Sequence, residues 1–450
     1  MPPSDSPPPP GTSELPVPEL IPIDGGGSGV APVSIEPLAS EAIEHHRHNL
    51  IVTVLFQTIL RCGWIFKTES IVMPAVMSTM GASGWLRGFL PALSKFGMSI
   101  PPLLMASRIR TVGRKKWLVF VCTGVMASCF LTLAVIWAIV PVTTSWLPAL
   151  FLAIYVVFFM AVGMNNLVGN TIQGKLIQVR SRGRVLKLAS FWGAVFAILL
   201  AGLLMPGWLE GENGKFHLIF GFAGFCFAIA AVCTLLLKEH RDDFRQQDER
   251  PIGIFRNIVR TLREDRHFRR LCLVGALFSV SIMLFPHYQP MGKDELDFSL
   301  KSIVLWVIVQ NAGTGLFSVV MGPIADRHGC RRVLRLILLM VAVTPLLAVT
   351  LANSQAEWSR FYWSVFLLIG LTPVVIKVFH NYTLEMAPPS EHTRYLAVMS
   401  LCVSGPLMAS PIAGLSIDLF SYTPVFIGVS ATVSLAWLLT FTLLEPRDQS

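Results

Sequence analysis

Charge is scarce in this sequence. Of its 450 residues only 14% are Asp, Glu, Lys or Arg, while 53% are hydrophobic. A soluble chain of this length carries about 25% charged residues. The shortage excludes an ordinary soluble globular protein and points to a chain that crosses a membrane many times. Paired cysteine is missing too. Among Cys62, Cys122, Cys129, Cys226, Cys233, Cys272, Cys330 and Cys402, all but Cys330 fall in apolar stretches, and no two share an external loop. That excludes a disulfide framework and gives no metal-ligand spacing. There is no Walker A loop, so ATP-driven pumping is not expected. No Ser/His/Asp set stands out, so the chain is expected to be no enzyme and to need no cofactor. The first 44 residues contain no Lys or Arg. A signal peptide needs a basic start and an apolar core, and this stretch has neither. Rich in Pro, Gly and Ser, it is expected to be a disordered tail.

What is present is a succession of apolar runs. They fall at 49–75, 86–107, 116–139, 147–172, 186–206, 217–237, 270–290, 302–322, 333–352, 361–384, 394–416 and 424–443. Each is near the roughly 20 residues that span about 30 Å of hydrocarbon. Only helices or closed barrels satisfy their backbone polar groups in lipid, and runs this long are helices. The expected fold class is therefore an all-α polytopic membrane protein with twelve transmembrane helices. The longest polar interruption, Lys238 to Arg270, lies mid-chain. The expected organisation is a tail over 1–44, a six-helix bundle over 45–237, a linker over 238–269, a second six-helix bundle over 270–443, and a short tail over 444–450. Within the linker, 254–262 has the character of an amphipathic surface helix. His45, His46 and His48 are read as a polar collar at the mouth of span 1 rather than as a metal site.

Orientation follows from the loops. Loop 2–3 carries Arg108, Arg110, Arg114, Lys115 and Lys116, and loop 4–5 carries Lys175, Arg180, Arg182, Arg184 and Lys187. Loop 3–4 has no cation, and loop 5–6 has only Lys215 beside Glu210 and Glu212. Cytoplasmic loops are the basic ones, so both termini are expected inside the plasma membrane. The formal net charge of +9 belongs to those loops, and no nucleic-acid partner is expected. Trp85, Trp146, Trp208 and Trp358 fall near the expected outer boundaries, as aromatic belts do.

The halves are related. Gly113 and Gly329 are 216 positions apart, as are Pro74 and Pro290, and Asn170 and Asn381 differ by 211. A near-constant offset in parallel order suggests two parallel six-helix repeats.

One short basic connector organises the chain: Gly322 to Leu334, GPIADRHGCRRVL. Asp326 is placed at the mouth of the next helix, where exposed N–H groups favour an anion. Gly329 permits a tight turn, and Arg327, Arg331 and Arg332 hold the loop inside. These residues resemble the signature loop of the major facilitator superfamily, G-x-x-x-D-R-x-G-R-R, with Cys330 in place of an Arg. The first copy is degraded: Ala106 and Arg110 replace the Gly and the Asp, and Gly113 with Arg114, Lys115 and Lys116 survives. The resemblance extends over most of residues 49–443. It implies two rocking bundles, alternating access, and a central cavity lined by helices 1, 4, 7 and 10. Span 5 lacks the G-x-x-x-G-P-x-x-G-G pattern of the family's drug/proton antiporters, which argues against multidrug efflux. Glu385, at the end of span 10, is expected to join Asp326, Arg331 and Arg332 in a cytoplasmic latch.

Ionisable and amide groups inside the spans are functional candidates, since each is costly in hydrocarbon. Gln57, Arg61 and Thr68 share one helical stripe, with Lys67 and Glu69 pointing elsewhere and Lys67 expected to snorkel outward. Lys95, Asn311 and Lys377 lie mid-span, and Asn166, Asn170 and Asn381 sit at matching depths. Arg61, Lys95 and Lys377 against Glu69 bias the cavity towards anions. The expected substrate is a small organic anion held by Arg61, Lys95, Asn166, Asn170, Asn311, Lys377 and Asn381. Glu69 and His380 are the candidate proton carriers. The expected function is secondary active transport, with ion or proton coupling, by a monomer whose partners are its small-molecule substrate and membrane lipid. Drug efflux, lipid movement, a non-transporting sensor and a polytopic membrane enzyme are the alternatives.

Overall fold

A computed structural model describes residues 45–110, 112–211, 214–241, 260–388 and 391–445, leaving aside the side chains of 106–108, 110, 179, 180, 326, 356 and 393. Ten helices among the described residues are long and apolar enough to cross a membrane. Two more spans, the broken first and the charged second, bring the arrangement to twelve. We number them α1 to α12. In the N-terminal half, α1 is His46–Ile65 continued by Val72–Thr79, α2 is Gly84–Arg110, α3 is Lys116–Ile139, α4 is Leu147–Leu176, α5 is Val179–Trp208 and α6 is Phe216–Leu235. In the C-terminal half, α7 is Arg266–Ser279 continued by Phe285–Leu296, α8 is Ser302–His328, and α9 is Cys330–Ala352. There too, α10 is Trp363–Ile369 continued by Thr372–Met386, α11 is His392–Ser404 continued by Ser410–Phe420, and α12 is Tyr422–Leu439.

Large apolar side chains face outward along the spans, with Leu203 75%, Ile139 75% and Val319 73% exposed. Outside a bilayer such surface would be an association liability; lipid is its natural cover. Inside the N-terminal half, Phe130, Phe158 and Phe227 pack edge-on or tilted with centroids 4.9 to 5.7 Å apart. At the mouth of α1 the histidines clamp neighbouring elements. His46 Nε2 meets Ser181 Oγ at 3.1 Å, His48 Nε2 meets the Leu236 carbonyl at 2.8 Å, and His45 stacks on His240.

Three expectations change. Span 1 is not one helix: it unwinds over Phe66–Ile71, where the Thr68 carbonyl accepts the N–H groups of Ile71, Val72 and Met73. One repeat away, α7 tightens into a 3-10 turn over Val280–Leu284. α10 is interrupted at Gly370 and Leu371 as well. Interruptions in spans free backbone groups and occur where they line a cavity.

The second change concerns the connector. α8 runs to His328 and α9 starts at Cys330, so Gly329 alone joins them. Asp326 therefore lies in the last turn of α8, not at the mouth of α9, and its side chain lies outside the described residues. The carboxylate at that mouth is Glu445. Its Oε2 accepts the Arg331 N–H at 3.2 Å. Gly329 has φ 84° and ψ 160°, and a Cβ there would stand 2.5 to 2.6 Å from the Glu445 carboxylate. Both facts require glycine.

The third change follows from the second. Glu445 and its counterpart Glu239, placed in the tail and the linker, are buried against their own bundles. Glu239 caps α3 through Lys115 N at 3.0 Å and Lys116 N at 2.8 Å, with Lys175 Nζ 3.6 Å away. The tail over 1–44 and the linker over 242–259 lie outside the described residues, as does most of the surface helix expected at 254–262.

Candidate functional site: a cationic chamber between the halves

The interrupted helices meet around one chamber of about 520 Å³ between the halves. From α1 come Arg61, Trp64, Thr68 and Glu69; from α2, Lys95; from α8, Asn311; from α10, Lys377. The expected grouping of Arg61, Lys95, Asn311 and Lys377 is thus met in space. Glu69, expected to point elsewhere, joins them because α1 unwinds beside it. The second segment of α10 starts here: Thr372 and Pro373 line the chamber, so a helix N-terminus adds positive potential to three cations. Asn311 spends its amide on its own helix, donating to the Val307 carbonyl at 2.9 Å.

Lys67 does not snorkel. It is 1% exposed, and its Nζ lies 3.9 Å from the Phe159 ring centroid and 4.3 Å from Trp64. Glu69 Oε1 accepts from Nζ at 2.9 Å. The unwound turn directs Lys67 into the N-terminal bundle and away from the membrane surface. A sequence signal existed: Tyr155, Phe158 and Phe159 share a face of α4 at i, i+3 and i+4.

The chamber is sealed at the end opposite the termini by contacts between the halves. The Asp418 carboxylate of α11 accepts the N–H groups of Gly84 and Trp85 at the start of α2, at 2.7 and 2.8 Å. Ser410 Oγ donates to the Gly88 carbonyl at 2.6 Å. The backbones of Gly84 and Gly414 touch, leaving no room for a Cβ on either. Ser70 Oγ donates to Gln310 Oε1 at 2.6 Å. Lys301 Nζ and Glu210 Oε1 pair at 2.9 Å on the exposed rim, and Lys301 holds the Glu210 carboxyl below its ordinary range. None of these partners was expected from sequence.

Towards the end that carries the termini, the chamber is followed by two further cavities. One is lined by Arg61 and Trp64 together with Gln57, Asn166 and Ser190. The next is lined by Gln57, Asn166, Asn170 and Gln173. Asn166 and Asn170 therefore line a cavity inside the N-terminal half, on the terminal side of the chamber, not the chamber itself. Gln57 Nε2 donates to Gln173 Oε1 across it at 3.3 Å. Their neighbour Asn165 is buried and accepts from Thr123 Oγ1 at 3.0 Å, tying α3 to α4. His380 and Asn381 lie further along α10 and line none of these cavities.

At the terminal face Arg327 and Arg332 are exposed. Arg331 instead reaches Glu445, with Nε 3.9 Å from Oε2, and donates through Nη1 to the Leu443 carbonyl at 3.2 Å. Glu385 is partly buried at the end of α10. Among the described residues no group of three or more His, Cys, Asp or Glu could hold a metal ion.

Residues 271–450 match the family model described as Major Facilitator Superfamily. No curated protein matches the chain by sequence. Several solved structures share its fold. The nucleoside transporter NupG superposes with a TM-score of 0.70 at 12% identity, over 88% of this chain and 100% of that one. The D-xylose–proton symporter gives 0.64 at 13% identity, over 88% and 98%. The bacterial homologue of the human lysosomal transporter Spinster, inward-facing and unoccupied, gives 0.61 at 14% identity, over 89% and 97%.

Proposed function

We propose that the chain is a member of the Major Facilitator Superfamily, whose model matches residues 271–450, and a secondary active transporter of a small organic anion, working by alternating access. One observation carries this reading. A chamber lined by Arg61, Lys95 and Lys377 lies between two related bundles and is closed at one end by inter-bundle contacts. Two halves that rock about such a chamber expose it to each side in turn. Arg61 and Lys95 belong to one bundle and Lys377 to the other, so a bound anion would draw the halves together. Asn311 in the chamber and Asn166 beside Arg61 would offer hydrogen bonds to it.

Proton coupling through Glu69 fits the same reading. Glu69 faces the chamber and is paired with a buried cation; protonation would remove that cation's counter-charge. The basic loops favour a plasma membrane location with both termini cytoplasmic, which puts the sealed end of the chamber on the outer side. A latch of Asp326, Arg331 and Glu385 would hold the terminal face in one state of the cycle, with Arg331 also reaching Glu445. A single chain supplies both bundles and the whole chamber, which supports a working monomer within membrane lipid.

The test is a thermal-shift screen of the purified protein against organic anions, organic cations, neutral solutes and lipids, at neutral and mildly acidic pH. Anions that bind the folded state should raise its melting temperature. Arg61→Gln and Lys377→Gln should each weaken that shift at least about tenfold in ligand concentration, the equivalent of one lost charge-assisted bond. Undiminished anion binding in both variants, or a shift with hydrophobic cations or lipids alone, would overturn the reading.

A further inference from the structure

Lys67 is a cation enclosed by rings. Its Nζ lies 3.9 Å from the Phe159 centroid, 4.3 Å from Trp64, 5.2 Å from Phe158 and 5.7 Å from Tyr155. The Glu69 carboxylate, 2.9 Å away, forms a polar wall. Aromatic faces with a carboxylate beside them are how proteins hold ammonium ligands. Here the ligand is part of the chain. The unwound turn at Phe66–Ile71 delivers it, and Trp64 and Glu69, which bound the cage, also line the chamber.

We propose that Lys67 is a specificity-determining residue: a built-in ammonium that fills an aromatic cage and confines the chamber to anions, excluding substrates that bring an ammonium of their own. The inference rests on the anion reading above. With Lys67 in place Glu69 is neutralised, and Arg61, Lys95 and Lys377 face the chamber against no other carboxylate among its lining residues. The ammonium of a zwitterion would find the cage occupied and three like charges around it. Without Lys67 the cage is empty and Glu69 is free to pair with an incoming ammonium, while the three cations still hold a carboxylate. Selectivity of this kind comes from an element that repels the wrong ligand as much as from attraction to the right one.

The experiment uses the full chain as wild type, Lys67→Ala and Lys67→Gln, with succinate, n-butylammonium and γ-aminobutyrate as probes and sodium chloride as the ionic-strength control. Butylammonium replaces what Lys67→Ala removes. It should raise that variant's melting temperature saturably, by roughly 2–4 °C, and leave the wild type unmoved. γ-Aminobutyrate should bind both variants and not the wild type. Lys67→Gln keeps most of the side-chain volume and serves if the alanine variant does not fold. The proposal falls if the folded variants retain the wild-type response to succinate yet gain no response to either ammonium compound, or if sodium chloride reproduces the gain. If no carboxylate binds the wild type but butylammonium still rescues Lys67→Ala, the cage stands and the anion reading fails.

Discussion

Glu445, just beyond α12, accepts the backbone N–H of Arg331 at the first turn of α9, and Gly329 lies directly beneath its carboxylate. Glu239 does the same for α3 after α6. Each bundle thus closes its signature loop with the acid that follows its own last helix. This places a carboxylate at the positive end of a helix, where it is worth up to about 2 kcal/mol when partly buried.

Gly329→Ala should therefore be costly. Its φ and ψ lie in a region essentially reserved for glycine, at a penalty of about 1–3 kcal/mol, and the added methyl would collide with Glu445. We expect a lower melting temperature for Gly329→Ala, with Glu445→Ala partly relieving the collision but losing the cap. Additive losses in the double variant would refute the coupling; a double variant less damaged than the sum would support it.

Asp418 fastens α2 to α11 across the closed end. Asp418→Ala leaves two helix-start N–H groups without their acceptor and should shift the molecule towards a state open at that end. Spin labels at Ser145 and Asn353, exposed in loops of opposite halves on that face, should then report longer distances. An unchanged distance distribution would mean that the backbone contact of Gly84 with Gly414 suffices.

The rim pair of Glu210 and Lys301 should make this closure pH-dependent. Lys301, hydrogen-bonded to it, lowers the Glu210 carboxyl. Its contribution is present above the ordinary carboxylate pKa and is lost as pH falls through the lowered value. Acid should thus lengthen the same label distance. Glu210→Gln should show the long distance at every pH, and high salt should mimic acid because the pair is exposed.

Much of this was legible in the sequence because it depends on length and periodicity. Spans 3, 6 and 9 fall within a few residues of expectation, and the repeat offset that linked Pro74 to Pro290 also relates the interruption of α1 to that of α7. Arg61, Lys95 and Lys377 were legible because a cation at mid-span is too costly in hydrocarbon to be incidental. What escaped was what backbone geometry decides. Apolar flanks made Phe66–Ile71 look helical, and only the unwound turn puts Lys67 inside and Glu69 in the chamber. The acids after α6 and α12 looked like linker and tail, since helix capping between distant segments leaves no local pattern. The seals between halves, such as Asp418 with Gly84, pair residues more than three hundred positions apart.

Asn165 and Asn166 make the last prediction, because adjacent amides on one helix face different surroundings. Asn165 is 4% exposed and holds Thr123 of α3 at the wall of one cavity, while Asn166 is exposed and lines both that cavity and the one beside Arg61. Hydrogen bonds between membrane helices average about 0.6 kcal/mol and reach about 1.7 kcal/mol. Asn165→Ala should lower the melting temperature by an amount in that range and leave ligand affinity unchanged. Asn166→Ala should leave stability nearly intact, because that side chain faces open space, and, on the proposed function, slow flux of the anion in proteoliposomes. If Asn166→Ala destabilises as much as Asn165→Ala without slowing flux, the cavity beside Arg61 is packing and not a route. If only flux changes, the substrate travels along α1 and α4 from the chamber to the terminal face.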